Sequence, residues 1–247
     1  LAISDDGFDF SIDWQRLADA LNDRTRLVII NFPHNPTGAI LSEADLRQLA
    51  ELLRDSQAYL LSDEVYEHIV FDGEPHVSAL SIDELWQRSF IVSSFGKTYH
   101  ATGWKVGYCM APAELTTEFR KVHQFTTFAV NTPVQHALAD FMQGNPAFHE
   151  RLPAFYEEKR DLFCRLLGES RFRLHPARST FFQIVDYGGI SDEEDVALAK
   201  RWTEEVGVAS IPLSVFCEQP FTGTRLRFCF AKDDDTLAAA CEKLSRL

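Results

Sequence analysis

The sequence has no apolar run approaching the roughly 20 residues that a bilayer-spanning helix needs, and no basic-then-apolar stretch opens it as a secretory signal would. Positive charge is scarce. Lys and Arg number 24 against 37 Asp and Glu, for a net charge of −13 and a pI near 5.0. That balance argues against non-specific binding to nucleic acid or to an anionic membrane surface. It leaves small-molecule chemistry open, because a substrate feels the local field of its pocket. There is no CxxC pair. The five cysteines, Cys109, Cys164, Cys217, Cys229 and Cys241, are odd in number and far apart, a pattern expected of buried free thiols in a reducing cytoplasm. The eight histidines contain no HExxH, and neither a GxSxG elbow nor a phosphate-binding P-loop is present. Met is absent from the first position. Leu1 to Gly7 reads as a strand end entering a turn, and the expectation is a fragment or processed chain with its true N-terminus upstream.

What is present is ordinary globular composition, 45% hydrophobic and 25% charged over 247 residues, enough for one large domain or two modest ones with a real core. Four apolar runs have strand length: Arg26–Phe32, Ala58–Ser62, Phe90–Phe95 and Val106–Ala111. Because the runs are continuous rather than alternating, they predict strands buried on both faces of a covered, mainly parallel sheet. Between them lie expected helices at Asp13–Leu21, after Ser42, at Glu114–Phe125 and at Val134–Met142. The second has apolar positions Leu46, Leu49, Ala50 and Leu53 and a capping box from Ser42 to Asp45. The last follows Thr132 as N-cap and Pro133 in the first turn. Near Gly144-Asn145-Pro146 the pattern changes. A long helix, kinked at Pro153, is expected to run to Leu167. Short strands follow at Phe172–His175 and Thr180–Val185, then a helix capped by Ser191 with Glu194. Strands at Val208–Ile211 and Arg225–Phe230 and a helix from Asp233 complete a small α+β domain. The expected division is 1–145 and 146–247, an α/β part followed by an α+β part.

Four segments carry chemistry. In Ser93-Ser94-Phe95-Gly96-Lys97 a lysine follows a buried strand at a glycine turn, where ligands bind in an α/β sheet. A desolvated lysine there loses its charge easily and attacks aldehydes. Lys105, eight residues on, and the Ser94 hydroxyl can hold a dianionic phosphate. Taken alone, Lys97 reads more readily as a surface lysine after a strand, and it is the residues around it that reverse that reading. In Asn31-Phe32-Pro33-His34-Asn35-Pro36-Thr37-Gly38, two prolines and a glycine fix a loop, from which Asn35 can offer its amide to a ligand oxygen. A purely structural turn is the alternative. In Ser62-Asp63-Glu64-Val65-Tyr66, a carboxylate ends an apolar strand and needs a partner. A pyridinium nitrogen suits it, and Tyr66 can donate its phenol to a ring oxygen. A helix N-cap is the competing role for Asp63. In Arg225-Leu226-Arg227, Arg227 suits a bidentate grip on a carboxylate, whereas Arg225 reads as a surface ion pair. His68, His100 and His123 read as packing or supporting residues. Phe95, Phe125 and Phe181 are core residues or, less readily, pocket lining. Asp233 to Asp235 reads as a helix start.

Together, in this order and spacing, these segments resemble the class I/II aminotransferases of fold type I, which depend on pyridoxal 5'-phosphate. SSFGKT followed by GWKVGY is similar to the cofactor-lysine signature. SDEVYEHI, NTPVQHALAD, PLSVFC and LRFCFAK resemble the branch that holds bacterial methionine aminotransferases and kynurenine/glutamine aminotransferases. The resemblance implies roles. Lys97 would carry the cofactor as a Schiff base and shuttle the reacting proton, Asp63 would pair with the ring nitrogen, and Tyr66 and Asn35 would bond the ring oxygen. Ser94 and Lys105 would bind the phosphate, with lysine standing where many members have arginine. Arg227, assisted by Asn35, would hold the substrate carboxylate. Substrates would be an amino acid, methionine-like or aromatic, and a 2-oxo acid, and the assembly a cytoplasmic homodimer. A β-eliminating carbon–sulfur lyase on the same fold and a non-catalytic ligand-binding module are the rivals. The family's usual upstream part is not in this sequence. That part brings a phosphate loop, an aromatic that stacks on the ring, and residues that reach across a dimer. Without it a sheet edge is expected to be open, and such edges invite pairing.

Overall fold

A computed structural model describes residues 2–3, 7–218 and 223–247. In chain order the strands are β1 (Ala2–Ile3), β2 (Phe10–Ser11), β3 (Leu27–Asn31), β4 (Tyr59–Asp63), β5 (Ser89–Ser94), β6 (Gly107–Met110), β7 (Phe182–Asp186), β8 (Ile211–Pro212) and β9 (Arg225–Cys229). The helices are α1 (Trp14–Ala20), α2 (Glu43–Leu53), α3 (Asp83–Trp86), α4 (Phe95–Thr98), α5 (Ala113–Thr126), α6 (Thr132–Gly144), α7 (Leu152–Leu167), α8 (Asp195–Glu205) and α9 (Asp234–Leu244). The turn expected at residues 4–6 lies outside the described residues.

The chain forms two compact units. One comprises residues 12–33 and 40–152, the other residues 1–11, 34–39 and 153–247. The first holds a four-stranded sheet in the order β3-β4-β5-β6. β3, β4 and β5 run parallel, with Asn31 opposite Asp63 and Asp63 opposite Val92. β6 returns antiparallel, with Gly107 opposite Ser94. The parallel pairs bring the carboxyl ends of three strands to one side, where ligands bind in such sheets. α2 is set as its sequence dictates. The Ser42 hydroxyl accepts from Asp45 N while Asp45 reaches back to Ser42 N, a cap contributing about 1 kcal/mol. Leu46, Leu49 and Leu53 are fully buried, and each contributes about 2 kcal/mol by leaving water.

Burial on both sheet faces does not hold. Ile30, Leu60 and Ile91 are buried, yet on the opposite face Leu27 and Tyr59 are nearly half exposed and Ile29 is 64% exposed. An unbroken apolar run shows that a strand avoids water, not what covers each side. The same applies to α5, which has no buried residue. Phe125 on it is 86% exposed, neither core nor pocket lining. Phe95 instead packs against Tyr99 and Tyr108, and Phe181 against Tyr156 and Phe182.

The second unit carries a small antiparallel sheet in the order β7-β9-β8. Trp202, Tyr187, Phe230, Leu226 and Leu167 are buried in this unit. Several expectations shift. Phe172–His175 is no strand, only a bridge from Arg173 to Asp186. Pro153 lies in the first turn of α7, where a missing N–H costs nothing, so it makes no kink. Asn131, not Thr132, caps α6 through its side chain. Ser191 and Glu194 form no capping box. The Ser191 hydroxyl accepts from Glu193 N, and α8 begins at Asp195, whose carboxylate binds the N–H and hydroxyl of Ser214. The five cysteines are free, but only Cys241 is buried, and Cys217 is exposed. Among the described residues no helix is long and apolar enough to cross a membrane, and no group of His, Cys, Asp and Glu is placed to hold a metal.

Candidate active site

Lys97 sits in α4, one short turn directly after β5. The turn is fixed by its own residues. The Ser94 hydroxyl caps it by accepting from Gly96 N at 3.0 Å. Gly96 O accepts from Ala101 N at 3.0 Å and from the Thr102 hydroxyl at 3.1 Å. Gly96 is required here: a Cβ would lie 2.8 Å from Thr102 Cα, closer than any real contact. From this base the half-buried Lys97 places its Nζ 5.4 Å from the centre of the Tyr66 ring.

Asp63 ends the neighbouring parallel strand β4. Its Oδ1 accepts from Val65 N at 3.2 Å, a local turn and not a helix cap, since residues 65–68 form a turn. Tyr66 is 2% exposed. Lys105 ends a 3-10 turn, Thr102–Trp104, in the left-handed conformation at φ 56° and ψ 44°, and its side chain lies in an exposed residue. The first unit therefore carries five of the expected residues, Asp63, Tyr66, Ser94, Lys97 and Lys105, on β4, β5 and the segments that leave them.

The other two expected residues meet within the second unit. Arg227 Nη1 donates to Asn35 Oδ1 at 2.5 Å. The Arg227 guanidinium lies 3.9 Å from the centre of the Phe182 ring and 5.4 Å from that of Phe216, within the range of cation–π attraction. Phe182 and Phe216 were not legible as its partners, because only the pairing of β7 with β9 brings Phe182 close. Asn35 is joined to Pro36 through a cis peptide, as Phe32 is to Pro33. Its loop is pinned where the Ser179 hydroxyl donates to Gly38 O at 2.8 Å. Arg225 is half-buried, its guanidinium 5.8 Å from the Phe8 ring. The histidines expected to pack do so in part: His68 lies against His149, His100 against Phe148, and His123 against Phe119.

The loop's ionisable group is His34, whose Nδ1 is 2.7 Å from the Thr37 hydroxyl. Burial lowers its pKa from 6.5 to about 4. The unfolded chain then binds a proton that the folded chain does not between those values. Stability should fall as pH drops from 6.5 towards 4 and recover as pH rises. Chemical denaturation at several pH values across that window should show this slope reduced in His34→Gln. An unchanged slope would show that His34 takes up its proton normally in the folded protein.

Comparison with known proteins adds lineage to geometry. Residues 4–244 match the family described as aminotransferase class I and II. The chain is 50% identical over 238 residues to the methionine aminotransferase of Escherichia coli, covering 96% of this chain and 62% of that protein. A crystal structure of a methionine aminotransferase from Escherichia coli superposes with a TM-score of 0.93 at 49% identity, covering 96% of this chain and 63% of that one. The N-succinyldiaminopimelate aminotransferase of Mycobacterium tuberculosis superposes with a TM-score of 0.92 at 35% identity, covering 99% and 64%. The chain thus spans somewhat under two thirds of the length of these relatives.

Proposed function

The chain belongs to the class I and II aminotransferases, and on that premise we propose that its protein transfers an amino group from an L-amino acid, methionine-like or aromatic, to a 2-oxo acid. The carrying observation is that an amine and a carboxylate leave adjacent parallel strands, with the Lys97 Nζ 5.4 Å from the centre of the buried Tyr66 ring. Members of this family use pyridoxal phosphate. The donor set fits that group: an amine for its aldehyde, a carboxylate for its ring nitrogen, a phenol for its ring oxygen, and a hydroxyl with a cation for its phosphate. When bound, the cofactor supplies an aldehyde for the incoming amine and a cationic ring that draws electrons from the Cα–H bond.

The chain's own residues do the rest. Lys97 would hold the cofactor by its amine and, once the substrate amine has displaced it, its freed Nζ would take the proton from the substrate Cα. Asp63 keeps the ring nitrogen protonated, because a carboxylate beside it favours the charged form. Tyr66 donates to the ring oxygen, and Ser94 and Lys105 hold the phosphate. Lys105 acts there as a point charge, since an ammonium lacks the arginine fork. Asn35 and Arg227 take the substrate carboxylate, and the hydrogen bond between them orients the guanidinium beforehand. The similarity to methionine aminotransferase supports a sulfur-containing or apolar donor. Free thiols suit a cytoplasmic setting. The exposure of Val122, Phe125 and Phe128 supports a homodimer surface.

The test is chemical. The complete protein, loaded with pyridoxal phosphate and reduced with borohydride, should yield one modified peptide, the one containing Lys97. Turnover should require a 2-oxo acid acceptor. Label on any other lysine would end the assignment, and release of ammonia and pyruvate without an acceptor would make the protein a β-eliminating lyase instead.

A further inference from the structure

One buried carboxylate has no part in the scheme above. Glu64 follows Asp63 directly, precedes Tyr66 by two residues and is 2% exposed. Its Oε1 accepts from the Ser62 hydroxyl at 2.8 Å and from Ala79 N at 3.0 Å. Its Oε2 lies 2.8 Å from His76 Nε2. Burial alone would raise this carboxyl, but the bond and charge of His76, with Ser78 and Ser62, hold it below its usual range. Its backbone is fastened too. Glu64 N donates to Val92 O on β5, and Glu64 O accepts from Glu67 N. The bonds therefore reach Glu64 from β4, from β5 and from the segment of residues 76–79.

A buried carboxylate bonded to an imidazole is a poor way to gain stability, because well-packed apolar residues of similar volume do as well or better. It does fix direction. Anchoring the residue next to Asp63 from three sides leaves the segment of residues 63–66 little freedom. We propose that Glu64 and His76 are a positioning pair that sets how the Asp63 carboxylate and the Tyr66 phenol are presented to the cofactor ring. The inference rests on the aminotransferase function proposed above, since it concerns how two of that site's residues are held.

The test uses the complete, cofactor-loaded protein and three variants. Glu64→Gln keeps the shape and an acceptor oxygen for Ser62 and Ala79 but removes the charge facing His76. His76→Leu removes the donor at a position where the side chain is 16% exposed, so it perturbs the core less. His76→Gln restores a donor. Glu64→Gln and His76→Leu should lower kcat about tenfold, the usual scale for a group that orients another, with KM changed less than about twofold. The visible circular dichroism of the bound cofactor should change with them. His76→Gln should recover most of both. If His76→Leu keeps the wild-type kcat and visible spectrum and loses only thermal stability, the pair is mere scaffold and the inference is wrong. If the wild-type protein takes up no cofactor on Lys97, the function itself fails, an outcome distinct from the first.

Discussion

Lys97→Ala should reduce transamination by on the order of 10⁴-fold or more, because removing a residue that acts both as covalent anchor and as proton carrier collapses the whole catalytic unit. The loss should lie in kcat, measured at saturating cofactor and substrate. It should not be a folding defect. The supports of α4 are the Ser94 cap, the Gly96 carbonyl bonds and the Thr102 contact, none of which uses the Lys97 side chain. Thermal unfolding should therefore stay close to wild type. Single-turnover absorbance with a preformed cofactor–amino acid adduct isolates the proton step. Retention of even a tenth of the wild-type rate in that assay would remove Lys97 from the chemistry.

The second large effect is expected at Arg227. Its guanidinium lies near the Phe182 and Phe216 rings and donates to Asn35. On the proposed assignment this orients the fork before any carboxylate arrives. Arg227→Ala should lower kcat/KM for amino acids about 10³-fold, within the span found when one member of a desolvated hydrogen-bonded charge pair is truncated. Arg227→Lys should still lose about 10²-fold, because an ammonium keeps the charge but neither stacks flat nor bonds bidentately. Steady-state kinetics with an amino acid and with the matching amine that lacks the carboxylate give the check. The amine should be indifferent to both variants, and equal losses on the two substrates would deny Arg227 the carboxylate.

How far the sequence reached follows the range of the interactions. The ends of β3, β4 and β5 are legible to within one residue, since the runs expected to end at Phe32, Ser62 and Phe95 end as strands at Asn31, Asp63 and Ser94, and local hydropathy largely decides where a strand can stop. Ser42 and Asp45 close a capping box as read, since everything it needs lies within three residues. Ser191 and Glu194 show the same pattern and fail, because the Ser191 hydroxyl is taken by Glu193 N and the helix starts only at Asp195, which leaves Glu194 and not Ser191 at the N-cap. Arg225 and Arg227 look alike in sequence. Only the register that sets Arg227 opposite Ile184 and Ile211, together with Phe8 beneath Arg225, gives them different surroundings. Glu64 had a signal available, a second carboxylate at the end of an apolar strand, but its partner His76 stands twelve residues away beyond a turn.

On the proposed assignment, the fastening of Gly96 to Ala101 and Thr102 makes the Lys97 amine a swinging arm on a stiff mount. Its travel comes from rotation about the bonds of one lysine side chain, a matter of picoseconds to nanoseconds. Carrying a proton from one carbon to another nearby then needs no hinge, lid or unwinding of the loop. Solvent viscosity, which slows large excursions of backbone, has nothing to grip at that step.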